Sequence, residues 1–385
     1  MRRRCQLSIA LYAALACWAV LWFVVLARRG GIDWKFFSTG TSLLFGGHPA
    51  VIQGITGGAG TAGPAGLPGQ RPPGGLDIFA NYPALQMGPL SYLAAAAIRN
   101  VVAAEVALQA TGLLIVYLID RIATIARPDR DKPWTLLVGG AVFLVAWSEL
   151  AAAFAHLDDG LALLLAVLAV HAAVTDHPVM SGVAVGLAAA AKPWALVFLP
   201  VLLINPKTIR AAAAAAATIA AGYAPFFIAD PATMNASRFL IRNEPDSALR
   251  ALGVAENYTP RWDRAGQVLL GCVLGTVAFL RKRWPAILML AGAARIVLDP
   301  AAHSYYTPDI VTGALLLDMI IQTRIPVFTI VSFAALNLAP LVIKDQTAQG
   351  GIRLALVAAC TVAALVLKGQ ATGSPPRQTR LGARP

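Results

Sequence analysis

The residues MRRRCQLSIALYAALACWAVLWFVVLARR, numbers 1–29, decide the fold. Arg2, Arg3 and Arg4 stand before an apolar run that carries no charge until after Leu26. The apolar part of a signal peptide covers about 7–15 residues, whereas this run exceeds the roughly 20 that cross a bilayer as a helix. The segment therefore reads as a first transmembrane helix over 7–27. The arginines place its amino terminus in the cytoplasm, because positive loops stay on that side.

The same pattern recurs along the chain. Of its 385 residues 58% are hydrophobic and 13% charged, about half the charge of an ordinary soluble domain. The sequence predicts an all-α, polytopic membrane bundle over 1–370. Its spans fall at 7–27, 101–119, 134–154, 160–175, 178–191, 193–205, 210–229, 265–280, 284–298, 307–321, 326–343 and 351–368, twelve in all. Lys192-Pro193 splits one pair into half-spans. The segment 83–98 begins at Pro83, contains Gly88-Pro89 and is short, which suits an interfacial helix. With that choice the basic loops around Arg121–Lys132, Lys207/Arg210, Arg281–Arg283 and Arg324 all face the cytoplasm, and so do both termini.

Two long segments are left on the outer side, 28–100 and 230–264. The first holds a Gly/Pro-rich stretch, 46–75, with eleven glycines and five prolines, which reads as flexible. The tail 371–385 reads as a disordered cytoplasmic extension. The net charge of +12 fits orientation and anionic lipid contact; with no basic-aromatic patch, it does not indicate nucleic acid. Cys5, Cys17, Cys272 and Cys360 form no CxxC pair and imply neither disulfides nor zinc. No P-loop or HExxH motif occurs, so nucleotide-driven transport and zinc hydrolysis are disfavoured. No internal repeat is visible, which disfavours many transporter folds.

Ionisable groups in such a chain are costly and tend to be paired or functional. Asp33, in GGIDWK, sits just past the first span. It is either a base for an acceptor hydroxyl or the N-cap of a helix over 34–45. Asp158 and Asp159, in HLDDG, either orient an acceptor or bind a divalent cation, or Asp159 caps the next helix. Lys192 either meets a lipid phosphate or snorkels. His303, in DPAAHSYYTPD, donates to a phosphate or sugar oxygen, and the neighbouring tyrosines form either the site or an interfacial belt. Arg295, one turn below, either adds charge there or, more simply, pairs with Asp299 at i,i+4. Glu105, Glu149 and Asp318 are expected to pair inside the bundle.

In order along the chain, Asp33 after the first helix, Tyr82-Pro83-Ala84-Leu85, Asp158-Asp159-Gly160, Ala191-Lys192-Pro193-Trp194 and His303-Ser304-Tyr305-Tyr306 resemble the GT-C class of membrane glycosyltransferases. Within it they are similar to the largely actinobacterial, polyprenyl-phosphomannose-dependent branch. The chain departs from that branch by Phe37 where a tyrosine is usual and by Pro83-Ala84 in place of Pro-Pro. The resemblance implies inverting transfer of mannose or arabinose from a polyprenyl-phosphate carrier to an envelope lipid or glycan on the outer face of the plasma membrane. It makes Asp33 the base. Lys192 and His303 become donor-phosphate contacts, and Asp158, Asp159, Tyr305 and Tyr82 other substrate contacts. No cofactor is implied beyond a candidate divalent cation. The competing readings are a transporter or lipid flippase, and a non-catalytic envelope-assembly subunit.

Overall fold

A computed structural model describes residues 2–47, 74–128, 132–301, 303–321 and 325–366. Most of the Gly/Pro-rich stretch 46–75, the tail 371–385, and Arg130 and Arg324 of the basic loops lie outside the described residues. Among these residues every regular element is a helix, and the single β-type pairing is an isolated bridge between Arg242 and Tyr258.

Seven helices are long and apolar enough to cross a membrane: Ile9–Arg29, Val101–Ala126, Pro133–Phe154, Leu157–Val174, Thr208–Ala229, Asp263–Leu280 and Gln346–Val366. The other five expected spans are helical but shorter, among them Pro178–Ala191, Pro193–Ile204 and Thr307–Ile321. The segment 83–98 yields only a ten-residue helix, Pro89–Ile98. Large apolar side chains such as Val20, Val24, Ile209, Ile228 and Leu280 point outward. In water that surface would be unfavourable, whereas lipid is its natural solvent. The fold is thus an all-α polytopic membrane protein.

Small residues set how closely the helices pack. Gly182 and Gly186, four apart on the Pro178–Ala191 helix, face Ala211 and Ala215 of Thr208–Ala229. A Cβ on Gly182 would stand 2.0 Å from the Ala211 carbonyl oxygen. Such contacts replace the hydrophobic drive that lipid cannot supply between helices.

Three interruptions in the helices create the polar end of the bundle. The Pro133–Ser148 helix widens into a π-turn, Glu149–Phe154, and Ala155 reverses the chain with a left-handed backbone (φ 50°). The freed carbonyls accept the Ile32 N–H (3.2 Å, from Ala153) and the Asp33 N–H (2.9 Å, from Phe154). Gly31 makes this docking feasible: its φ is +57°, and a Cβ there would lie 2.4 Å from Val101. At the second break Pro193 disfavours helical geometry for its predecessor, so Lys192 is extended (φ −150°, ψ 121°). The Ala191 carbonyl, left over at this helix end, accepts from the Gly88 N–H and the Ser91 hydroxyl, both at 2.8 Å. The third break, Asp299–Tyr306, joins Ile287–Leu298 to Thr307–Ile321.

Candidate active site

The three breaks meet. Asp33, His156, Lys192 and His303, far apart in sequence, line one cavity of about 590 Å³ together with Asp158 and Tyr305. Its remaining walls include Phe36, Met87, Phe239, Leu240 and Ile241. A polar base with apolar sides suits an amphiphilic ligand.

Asp33 is not a helix cap. Its backbone is helical, and its side chain makes no capping bond to the Trp34–Leu44 helix. Instead its Oδ2 meets His156 Nδ1 at 2.9 Å. The far nitrogen of His156, Nε2, lies 3.0 Å from Asp159 Oδ2 and 3.3 Å from Asp158 Oδ1. Phe37 packs edge-on against this ring and Tyr305 lies over it at 4.1 Å. Burial opposes the imidazolium charge, but Asp158, with Asp159 behind it, outweighs burial and Lys192 and raises His156 to about 9. At neutral pH both ring nitrogens therefore donate, one to Asp33 and the other to the acid pair.

Asp159, the expected cap, does not cap the following helix either; its own N–H donates to Asp158 Oδ1 at 2.9 Å. Asp159 is fully buried and gathers Lys192 Nζ at 2.6 Å, Arg295 Nη1 at 2.9 Å and the Trp194 indole N–H at 2.8 Å. Lys192 also reaches Asp158 at 3.1 Å. Its ammonium turns inward to two carboxylates rather than outward to headgroups. Arg295 also reaches Asp299 (3.7 Å), the expected partner, and more tightly Asp309. Its guanidinium lies between Trp194 and Tyr306, at 4.4 and 3.9 Å from the ring centroids.

His156, Asp158 and Asp159 lie close enough together to hold a metal ion. The donor set fits one poorly, because Lys192 Nζ stands 2.6–3.1 Å from both acids and 3.0 Å from His156 Nε2. A divalent ion would have to displace that ammonium, so no catalytic step is assigned to one.

A model of glycosyltransferase family 87 matches residues 82–283, just over half of the chain. The chain belongs to glycosyltransferase family 87. No curated protein and no solved structure matches it. Family membership makes this a membrane glycosyltransferase, with a glycosyl donor and an acceptor as substrates. The matched region carries His156, Asp158, Asp159 and Lys192, while Asp33, Arg295 and His303 come to the cavity from outside it.

Of the residues the sequence proposed for this glycosyltransferase, Tyr82 and Asp159 do not line the cavity: Tyr82 is buried in the core, and Asp159 is buried behind Lys192 and Arg295. His303 does line it, stacked on Tyr305 at 5.0 Å with rings 9° apart. Burial against the tyrosines, outweighing Asp299, holds His303 below the ordinary histidine range. The sequence reading gave His156 no role and weighed Arg295 either as added charge beside His303 or, more simply, as a partner of Asp299. The available signal was an ionisable side chain beside an Asp pair in an otherwise apolar hairpin. Glu149 pairs with Arg29 at 2.7 Å, and Asp318 accepts from the Thr329 N–H and hydroxyl. Glu105 departs from expectation, since its Oε1 is buried without a partner among the described residues.

Proposed function

We propose that the enzyme transfers a sugar, mannose or arabinose, from a polyprenyl-phosphate carrier to an envelope lipid or glycan. Transfer takes place on the outer face of the plasma membrane, with 28–100 and 230–264 outside and both termini in the cytoplasm. The observation that carries this reading is the meeting of Asp33, Lys192 and His303 on one cavity with apolar walls. A lipid-linked donor brings an anionic head and a hydrocarbon tail, and the cavity offers a counterpart to each.

Asp33 accepts the proton of the acceptor hydroxyl as its oxygen attacks the anomeric carbon. The bond from that carbon to the carrier's phosphate oxygen breaks, and polyprenyl phosphate leaves. The configuration inverts in this single displacement. His156 holds one oxygen of the Asp33 carboxylate, which leaves the other for the acceptor. The leaving group is already a phosphate, so fixed positive charge serves in place of a general acid. Lys192 and His303 contribute hydrogen bonds on that side, Lys192 while still tied to the acid pair.

The test uses purified protein with radiolabelled polyprenyl-phospho-sugars and an envelope lipid extract, in parallel with sealed vesicles of both orientations. Sugar should pass to lipid or glycan, and in vesicles only when the donor and acceptor reach the outer face. Movement of intact donor across the bilayer without transfer would overturn the enzyme reading in favour of a flippase.

A further inference from the structure

Lys192, Arg295 and Arg264 bring permanent positive charge to the cavity. The first two are held by carboxylates. Arg264 is not. The described ion pairs engage Arg29, Lys192, Lys207, Arg242, Arg295 and Arg353, but not Arg264. Its Nη2 makes one long bond, 3.4 Å, to the Phe239 carbonyl. Its Nε is buried and has no partner among the described residues. The adjacent Asp263 lies beyond ion-pair distance: its Oδ2 accepts from Gln267 at 2.9 Å, and its Oδ1 has no hydrogen-bond partner among the described residues, so its charge acts on Arg264 only at longer range.

Local structure does not explain Arg264. It lies in the first turn of the Asp263–Leu280 helix, where a cation works against the helix dipole. A guanidinium has five N–H donors, and leaving them unmatched beside an apolar wall is unfavourable unless an anion completes them. Gln267, three residues on and so on the same helix face, also lines the cavity. Beyond them stand Phe239, Leu240 and Ile241. A ligand held here would have its anionic head on Arg264 and hydrocarbon along the neighbouring wall.

We infer that Arg264 is the oxyanion-binding residue of the cavity and takes the phosphate of the lipid-linked donor through paired N–H···O bonds. This rests on the glycosyl-transfer reading above. It assigns the main phosphate contact to a residue with spare donors, leaving Lys192 and His303 in supporting positions. An arginine suits the task because its planar fork matches two phosphate oxygens at once.

The experiment measures binding of a short-chain polyprenyl phosphate to detergent-solubilised wild type, Arg264→Gln, Arg264→Lys and Asp33→Asn. Vesicles of phosphatidylcholine with phosphatidic acid serve as a second phosphate source. Arg264→Gln should weaken polyprenyl phosphate binding about tenfold or more, as expected for loss of a charge-assisted contact. Arg264→Lys should recover part of it, and Asp33→Asn should bind like wild type. Melting temperatures should match throughout, which separates lost contact from lost fold. Unchanged affinity in Arg264→Gln, beside a wild type that binds, would overturn this assignment alone. A loss confined to the phosphatidic acid vesicles would overturn the donor assignment. A wild type with no affinity for polyprenyl phosphate would remove the donor class of the proposed function, and this inference with it.

Discussion

Two parts of the cavity hold an arginine in different ways. At the base, Arg295 is buried between Trp194 and Tyr306 and bonded to Asp159 and Asp309. On the wall, Arg264 is half-buried, touches one backbone carbonyl and has a buried nitrogen to spare. The first guanidinium is satisfied without a ligand, so it fixes geometry. The second is incomplete, so its free energy is available for binding. A buried ion pair is poor evidence of stability in its own right, but removing one member of it is severe.

That contrast breaks first at Arg295. Arg295→Met keeps much of the volume and strands the buried Asp309 carboxylate, which should cost about 3–5 kcal/mol. Arg264→Gln, which strands nothing, should change stability by less than about 1 kcal/mol. Thermal unfolding in detergent reads both. Equal melting temperatures for the two variants would show that the base is no more structural than the wall.

Asp33 stands between the two regimes, tied to the base through His156 and facing the cavity with its other oxygen. Asp33→Asn keeps an acceptor for the His156 N–H and removes the basic charge. Transfer should fall by about 10²-fold or more, a common range for loss of a general base, with binding and melting little altered. Near-normal turnover would end the catalytic assignment. The helix-cap alternative has no support in the geometry, since the side chain makes no bond to its own helix.

The comparison also explains what could be read in advance. The bundle was legible because lipid demands long uncharged runs, and residues 7–27 satisfy that demand with no help from tertiary structure. Asp33, Lys192 and His303 were legible as ionisable residues at the ends of such runs. Their partners were not. A charge at a helix end looks the same in sequence whether it faces headgroups or turns inward, and Lys192 turns inward only because Pro193 extends its backbone beside Asp159. Arg295 has a plausible partner at i+4, which obscured the tighter ones contributed by two other helices. Tyr82 entered through its neighbours Pro83-Ala84-Leu85, and motif adjacency carries no information about side-chain direction. The shorter spans were legible in extent as well: Pro178–Ala191, Pro193–Ile204 and Thr307–Ile321 lie within a residue of the expected bounds, because prolines mark where such helices start.

The smallest expected effect sharpens the comparison most, because it titrates the link between base and site. His156 faces Asp33 just past the first helix, Asp158 and Asp159 on its own helical hairpin, Lys192 at the second break, and the ring of Tyr305 at the third. Burial and Lys192 oppose the charged His156 ring, and Asp158 and Asp159 at Nε2 outweigh them. Its folded pKa is raised from 6.5 to about 9. The stabilising contribution of that proton is therefore complete below about 6.5 and is lost as pH rises through about 9. Over the same interval the imidazolium gives up one of its two N–H bonds, and Asp33 is held less firmly. Wild-type kcat should decline as pH rises through about 9 while the donor KM changes little. His156→Gln can donate one hydrogen bond but carries no proton to lose. Its kcat should start about tenfold lower, close to the worth of one charged hydrogen bond, and run flat through that region. An equally steep alkaline decline in His156→Gln would place the titrating group elsewhere and cut the proposed connection between the paired base and the catalytic carboxylate.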